Sequence, residues 1–185
     1  TPCASCHSPP APRRPLMATK WEKTVNERYQ GFRDKLRAGI PDGQVVEDYF
    51  RRLAYGTDAS FYRLIPQLVV KVRTEANLVL VLDAANQYQV SVTFRGAGTS
   101  LSGQAVTDSV LVMLEGDAWR NHWIAPDGAR IRLQPGIIGA QANAWLVPLG
   151  RKIGPDPASI GTAQIGGIAA VIRVNGCKQG RRSLI

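Results

Sequence analysis

Val90-Ser91-Val92-Thr93-Phe94 runs directly into Arg95-Gly-Ala-Gly-Thr-Ser-Leu-Ser-Gly103, and the fold can be built outward from this junction. The alternation over 90–94 predicts a strand. The small residues that follow predict a loop whose backbone N–H groups are open to a ligand such as a phosphate. Thr99, Ser100 and Ser102 add short hydroxyl donors. A tight turn that simply requires glycine is the alternative interpretation of this loop.

A second glycine-rich stretch, residues 161–168, has the same character and includes the hydroxyl of Thr162. Neither stretch matches a standard nucleotide-binding motif. No Gly-Lys-Ser/Thr follows the first loop, and a third glycine at the dinucleotide-binding spacing is missing after Gly98. Arg95 is either a cation beside a phosphate or a solvent-facing side chain. Asp156 lies between two prolines and either closes its loop onto the backbone or contacts a ligand.

Two amphipathic helices are predicted before the first strand. The apolar residues of the first recur every three or four positions, at Trp21, Val25, Tyr29, Phe32 and Leu36. Gly39, Pro41 and Gly43 end it. The second helix is predicted to stop at Gly56. Its expected buried side consists of Val45, Val46, Tyr49, Phe50 and Leu53.

Short strands alternate with helices in the rest of the chain. Strands are predicted at 68–72, 90–94 and 109–115. A helix capped by Thr74 is predicted to end near Asn86, with an inward face of Leu78, Val81, Leu82 and Ala85. A hairpin with arms at about 121–125 and 129–134, and then a helix at about 138–152, complete an α+β order. His122 in this hairpin is either an exposed strand residue or a catalytic one.

Composition excludes several classes of protein. The chain has 185 residues, of which 44% are hydrophobic and 20% charged, as in an ordinary globular domain. Six of the basic residues that give the net charge of +9 lie in 1–16 and 173–185, where there are no acids, so residues 17–172 carry only +3. A nucleic-acid-binding domain would spread its basic residues along a structured face. We therefore expect no nucleic-acid partner. We also expect no transmembrane segment, because no apolar run is long enough to span a bilayer.

The two ends of the chain differ from its middle. Residues 1–16 are rich in proline and contain no methionine, so they are predicted to be disordered and dispensable, an upstream segment that precedes the true start at Met17. Cys3, Cys6 and His7 match the short haem-attachment pattern, but without a cytochrome-like context we expect neither haem nor a metal site. Residues 171–185 are predicted to be a divergent tail produced by a frameshift or a truncation.

Five ordered motifs together resemble the FAD-linked oxidase family. They are Arg-Leu-Ala-Tyr-Gly-Thr-Asp-Ala-Ser-Phe-Tyr-Arg-Leu-Ile-Pro (52–66), Phe-Arg-Gly-Ala-Gly-Thr-Ser-Leu-Ser-Gly-Gln (94–104), Gln-Pro-Gly (134–136), Gly-Pro-Asp-Pro-Ala-Ser (154–159) and Ile-Gly-Gly (165–167). The resemblance covers about residues 43–170 and is nearest to flavin-dependent D-lactate dehydrogenases. It implies a vanillyl-alcohol-oxidase (PCMH) type FAD-binding domain, α+β with small sheets flanked by helices, at 57–170. This domain would be incomplete and preceded by a helical segment at 17–56.

The resemblance also implies which residues bind FAD. The first loop would hold the pyrophosphate, and the second stretch would line the pyrophosphate and ribityl side of the cofactor. The implied cofactor-binding residues are Arg95, Gly96, Ala97, Gly98, Thr99, Ser100, Asp156, Ser159, Thr162, Ile165, Gly166 and Gly167. A buried pyrophosphate needs several N–H donors to offset its desolvation.

The implied activity is oxidation of a D-2-hydroxy acid, D-lactate to pyruvate, with hydride transfer to noncovalent FAD. D-2-hydroxyglutarate or glycolate oxidation, and a non-catalytic FAD-binding module, are the alternatives. No catalytic or metal-binding residue is assigned in this chain, so we expect it to be inactive alone. In some relatives an iron–sulfur cluster is held by a C-terminal region that has no counterpart here. The expected location is cytoplasmic, with peripheral association with a membrane left open.

Overall fold

Helices and strands alternate along residues 20–175, the part of the chain that the computed structural model describes. The helices are α1 (Lys20–Leu36), α2 (Tyr49–Ala54), α3 (Glu75–Tyr88), α4 (Gly139–Leu146) and α5 (Ile165–Asn175). The strands are β1 (Val45–Val46), β2 (Leu68–Val72), β3 (Val92–Arg95), β4 (Val110–Leu114), β5 (His122–Ile124) and β6 (Ile131–Leu133). Within residues 20–175, no helix is both long enough and apolar enough to cross a bilayer.

Several predictions concern residues beyond this range. The expected disorder of 1–16, the start at Met17 and the motif formed by Cys3, Cys6 and His7 lie outside the described residues. Residues 171–175 form the last part of α5, and the remainder of the predicted tail at 171–185 lies outside as well.

Four strands form the main sheet in the order β1-β2-β4-β3. β1 is antiparallel to β2, whereas β2, β4 and β3 are mutually parallel, with Val70 opposite Val112 and Phe94 also opposite Val112. The carboxyl ends of the three parallel strands therefore lie at one edge of the sheet. The loop that begins after Arg95 leaves from this edge.

Apolar side chains cover both faces of the sheet. On one face, α1 and α3 pack against it, and Phe32, Leu36, Val70, Val81 and Val112 are fully buried. On the other face, Val46, Val69 and Leu111 form a smaller cluster with Tyr55 and Met113. The helical apolar period of α1 and the continuous apolar runs of β2 and β4 account for these elements, which confirms their prediction.

The hairpin β5–β6 and α4 form a second core. Its buried residues are Ile137, Ala142, Leu146 and Ile153. The turn at Asp117–Trp119 connects this core to the sheet, because the Trp119 indole N–H donates to the Val72 carbonyl at 2.9 Å and the Trp119 carbonyl accepts the Gly136 N–H at 2.8 Å. The predicted hairpin is confirmed, and Gly128 in its turn has φ +62°.

The predicted second helix is wrong in its first half. Val45 and Val46 form β1, which pairs with Val70 and Val69 of β2. The helix starts only at Tyr49, where Asp48 accepts the Arg51 N–H at 2.9 Å as the N-cap. Its aromatic residues point outward rather than inward, with Tyr49 52% and Phe50 76% exposed.

Four further details differ from the predictions. Strand β3 is shifted to 92–95, and Leu82 of α3 is 41% exposed because Val81, Ala84 and Ala85 face the core. Helix α4 ends at Leu146 instead of continuing to 152, since Pro148 lies in a 3-10 turn that Gly150 closes with φ +63°. The second glycine-rich stretch, expected to be an open loop, contributes Gly166 and Gly167 to the first turn of α5.

Removal of the α3 N-cap should destabilise the protein. The Thr74 side chain accepts the Asn77 N–H at 3.1 Å, and loss of such a cap costs about 0.5–2 kcal/mol. Thr74→Ala should lower the free energy of unfolding by this amount in a denaturant titration. Thr74→Ser keeps the hydroxyl and should stay close to the parent. Equal loss in the two variants would contradict the capping role.

Candidate functional site

The loop after β3 presents a row of unused backbone donors. Within the residues that the structure describes, no N–H from Gly96 through Ser100 donates a hydrogen bond to another residue. Gly98 takes φ +71°, a left-handed conformation that reverses the chain there. The side chains along this stretch are small and only partly buried, apart from Ala97, which is exposed. A run of N–H groups around a reversed backbone is an anion-binding arrangement.

The far end of the loop is closed by hydrogen bonds of its own. The Ser100 hydroxyl donates to Gln104 Oε1 at 2.7 Å and accepts the N–H groups of Ser102 and Gln104, both at 3.3 Å. Gly103 takes φ +74° above the ring of Tyr62, to which a Cβ would approach within 2.6 Å. Ser100 is thus engaged within the loop, and its hydroxyl shapes the loop rather than standing free as a donor.

The side chain of Arg95 turns away from solvent and crosses to the segment before β2. Its Nη1 donates to the carbonyl oxygens of Tyr55 at 3.0 Å and Thr57 at 2.8 Å. The Gly98 carbonyl accepts the Ala59 N–H at 3.1 Å, so the loop and this segment are joined at two places. The alternative of a solvent-facing Arg95 is wrong, because the residue is partly buried and its guanidinium is bound to two backbone carbonyls.

Asp58 joins the same two segments from the other side. Its Oδ1 accepts the Ser60 N–H at 2.8 Å and the Ser60 hydroxyl, and its Oδ2 accepts the Ala105 N–H at 3.4 Å. Burial by itself raises the pKa of Asp58. The bonds from Ser60 and Ala105, with the charge of Arg95, outweigh burial and hold the pKa below its ordinary value.

The second stretch approaches the first loop through Gln164 and the start of α5. A Cβ on Gly96 would lie 2.8 Å from Gln164 Oε1, so these two residues are in close contact. The N–H groups of Ile165 and Gly166 donate to the carbonyls of Ile137 at 2.8 Å and Pro135 at 2.9 Å, which positions the helix. Gly167 is the next residue, and among the described residues its N–H has no acceptor.

The remaining implied site residues close the turns that precede α5. The Ser159 carbonyl accepts the N–H of Thr162 at 2.9 Å, and the Thr162 hydroxyl donates to the same carbonyl at 3.2 Å. Asp156 forms an exposed ion pair with Lys152 at 3.0 Å and no described bond to the backbone. No described contact connects Asp156, Ser159 or Thr162 to the first loop.

His122 is exposed, with its ring stacked on Trp145 at 3.6 Å.

A family model for the FAD-binding domain matches residues 66–180 of the chain. The chain belongs to this FAD-binding family. Among curated proteins, D-2-hydroxyglutarate dehydrogenase of Escherichia coli (strain K12) is 32% identical over 77% of this chain and 14% of its own length. Glycolate oxidase subunit GlcD of the same strain is 33% identical over 55% of this chain and 21% of its own length. The chain thus spans about a seventh to a fifth of these relatives.

Solved structures show the same fold. The chain aligns with an alkyldihydroxyacetonephosphate synthase at a TM-score of 0.62 and 21% identity, over 75% of this chain and 28% of the other. It aligns with p-cresol methylhydroxylase at a TM-score of 0.56 and 14% identity, over 83% of this chain and 30% of the other. These alignments confirm the α+β, PCMH-type FAD-binding fold.

The geometry of the first loop fits the pyrophosphate of FAD. Among the described residues, five successive N–H groups find no acceptor, and a Cβ on Gly98 would lie 2.5 Å from Arg95 Nη2 and would displace the guanidinium. Sequence reasoning missed Asp58 and Gln164. Asp58 lies inside the 52–66 motif that carried the family resemblance, and this was the one available signal for it. Gln164 had no signal beyond its place within the glycine-rich stretch at 161–168.

The lowered pKa of Asp58 predicts a pH-dependent contribution to stability. The carboxylate stabilises the fold above its unfolded-state pKa, near 3.8, and the contribution is lost as the pH falls through the lower folded-state value. Asp58→Asn should cost about 1–2 kcal/mol at neutral pH. In denaturant titrations from pH 7 to pH 2, the difference in the free energy of unfolding between Asp58→Asn and the parent should shrink below pH 4.

Ser60→Ala tests the cause of that dependence. It removes the side-chain hydrogen bond that lowers the Asp58 pKa most, and should reduce the pH-dependent part of the stability while leaving the carboxylate in place. A stability difference for Asp58→Asn that is the same at pH 2 and pH 7 would rule out the ionised carboxylate as its source.

Proposed function

We propose that the loop from Gly96 to Ser100 holds the pyrophosphate of FAD through its backbone N–H groups, with Gly167 at the start of α5 as a further donor. The unused N–H groups of the loop are the observation that carries this proposal. Partial positive charge at the amino end of α5 supports it, since Gln164 of that end contacts Gly96. Thr99, Ile165 and Gly166 would shape the pyrophosphate site and position its backbone donors. Asp156, Ser159 and Thr162 would lie at the outer wall of the site.

The proposed activity of the whole protein is oxidation of a D-2-hydroxy acid to the 2-oxo acid, with loss of two electrons and two protons. FAD supplies this two-electron chemistry when bound. The relatives named for D-2-hydroxyglutarate and glycolate favour those substrates over D-lactate, which remains the alternative. The role of this chain is to bind the cofactor's phosphates and to orient the cofactor. Substrate recognition would belong to the parts of the relatives that this chain does not span.

The FAD is proposed to be noncovalent. Neither 94–104 nor 154–170 contains a cysteine or a histidine, so neither glycine-rich stretch offers a side chain of the kind that forms a bond to the flavin ring. After acid precipitation of the FAD-loaded chain, all flavin absorbance should appear in the supernatant.

A titration of the chain with FAD tests the site directly. Gly98→Ala should weaken FAD binding by about tenfold or more, because a left-handed alanine costs about 1–2 kcal/mol and its Cβ displaces either Arg95 or the loop. Gly150→Ala is the matched control, since Gly150 has φ +63° but open space around it, far from the loop along the chain. Binding is measured by quenching of flavin fluorescence, with circular dichroism as a check of folding.

Two outcomes would contradict the proposal. Absence of FAD binding by the parent chain would remove the proposed cofactor, and equal loss in the two variants would show that the effect is not local to the loop. Saturable FAD binding that Gly98→Ala weakens and Gly150→Ala preserves is the expected result.

The proposed division of labour predicts no turnover by this chain. When the FAD-loaded chain is mixed with D-2-hydroxyglutarate, D-lactate or glycolate and a redox dye, dye reduction should not exceed that with free FAD. The reason is that a positioned base contributes about 10²–10⁴ in rate, and no catalytic residue is assigned among those described. Reduction well above the free-FAD rate with any of the three acids would place substrate chemistry within this chain.

A further inference from the structure

The segment Tyr55–Ser60 is bound to the proposed pyrophosphate loop along its length. Arg95 Nη1 donates to the carbonyls of Tyr55 and Thr57, and the Ala59 N–H donates to the Gly98 carbonyl. Asp58 accepts the Ala105 N–H at the far end of the loop. These contacts join residues 38–47 positions apart in sequence. The segment therefore forms a brace for the loop, and its contacts use the Gly98 carbonyl, the Arg95 side chain and the Ala105 N–H.

The guanidinium of Arg95 is the central part of this brace. One nitrogen, Nη1, is shared by two backbone carbonyls, and the rest of the group fills the space beside Gly98 where a Cβ would lie 2.5–2.9 Å from it. A planar guanidinium can bridge two carbonyls and support a backbone at the same time. A lysine ammonium has the charge and can donate to carbonyls, but it lacks the planar group that fills the space beside Gly98.

We infer that Arg95 is a positioning residue, which acts on the anion site by fixing the backbone of Gly96–Gly98 against the brace at Tyr55–Ser60. This inference rests on the proposed function, because it explains how the loop binds a pyrophosphate. It differs from the alternative that the sequence left open for Arg95, in which the side chain is a cation beside a phosphate. Backbone N–H groups bind an anion well only when their directions are fixed beforehand.

Replacement of the Arg95 guanidinium by a lysine ammonium keeps the positive charge and removes the group that positions the loop backbone. It therefore distinguishes the two possible roles of Arg95. Arg95→Lys should weaken FAD binding by about tenfold, as much as the neutral Arg95→Gln, because both variants lose the planar group that lies beside Gly98. Hydrogen exchange followed by mass spectrometry gives a second readout that does not require FAD. Peptides covering 55–60 and 95–100 should exchange faster in Arg95→Lys without a change in the peptides of β2 and β4.

Arg52→Lys is the matched control. Arg52 also binds two backbone carbonyls, those of Glu47 at 2.9 Å and Pro66 at 2.7 Å, but it makes no described bond to the loop. This variant should leave FAD binding and the exchange of 95–100 unchanged. If Arg95→Lys does not fold, Asp58→Asn replaces it, because it loosens the other end of the brace and should raise exchange at 95–105.

The outcomes separate this inference from the proposed function. If the parent chain does not bind FAD, the proposed function fails, and the inferred role in anion binding fails with it. If the parent binds FAD and Arg95→Lys binds within about twofold of it while Arg95→Gln is much weaker, the charge alone matters and only this inference is overturned. Unchanged exchange at 55–60 and 95–100 in Arg95→Lys overturns it as well.

Discussion

Val92 to Arg95 pair in parallel with Val110 to Met113, and this register determines where the chain after Arg95 can go. Strand β4 is central in the sheet, and its residues Val110, Leu111 and Val112 are fully buried although they point to alternating faces. Both faces of β4 are covered by apolar clusters, so the strand lies in the interior of the sheet and its pairing with β3 positions the end of that strand. The glycine-rich loop consequently starts at the carboxyl edge of the parallel strands, beside the segment that leads into β2.

A loop with unused N–H groups is stable only if water can reach these groups and other contacts hold the loop in place. Buried donors without acceptors each cost about 1–3 kcal/mol, whereas the residues of Gly96–Ser100 keep partial access to solvent, which can hydrate them. Hydrogen bonds of the Gly98 carbonyl and of the Arg95 and Ser100 side chains hold the backbone of the loop in place. Arg95 and Ala59 bind one half of it, and Ser100 with Gln104 closes the other half. The loop is thus held firmly through its carbonyls and side chains while its donors stay open.

Local patterns predicted those elements that have an amphipathic period or a short continuous apolar run. Helix α1, strands β2 and β4 and the hairpin belong to this group. β1 could not be predicted in this way, since a two-residue strand exists only through its pairing with β2. In the site, composition and the family resemblance identified the loop at 95–103. The Asp58–Ala105 and Arg95–Tyr55 contacts span 47 and 40 residues, and no local pattern encodes such a distance.

The charges around the loop largely balance one another, and this determines how the proposed site would attract an anion. The carboxylate of Asp58 is satisfied by Ser60 and Ala105 and lies close enough to Arg95 for the two charges to interact. The positive charge of Arg95 is therefore partly offset, as well as directed at carbonyl oxygens. What faces the ligand is a set of peptide dipoles, from Gly96–Ser100 and from the amino end of α5. Selectivity for a pyrophosphate would then come from the directions of backbone N–H groups. For this selectivity, Gly96, Gly98 and the brace at Tyr55–Ser60 matter more than any single charged side chain.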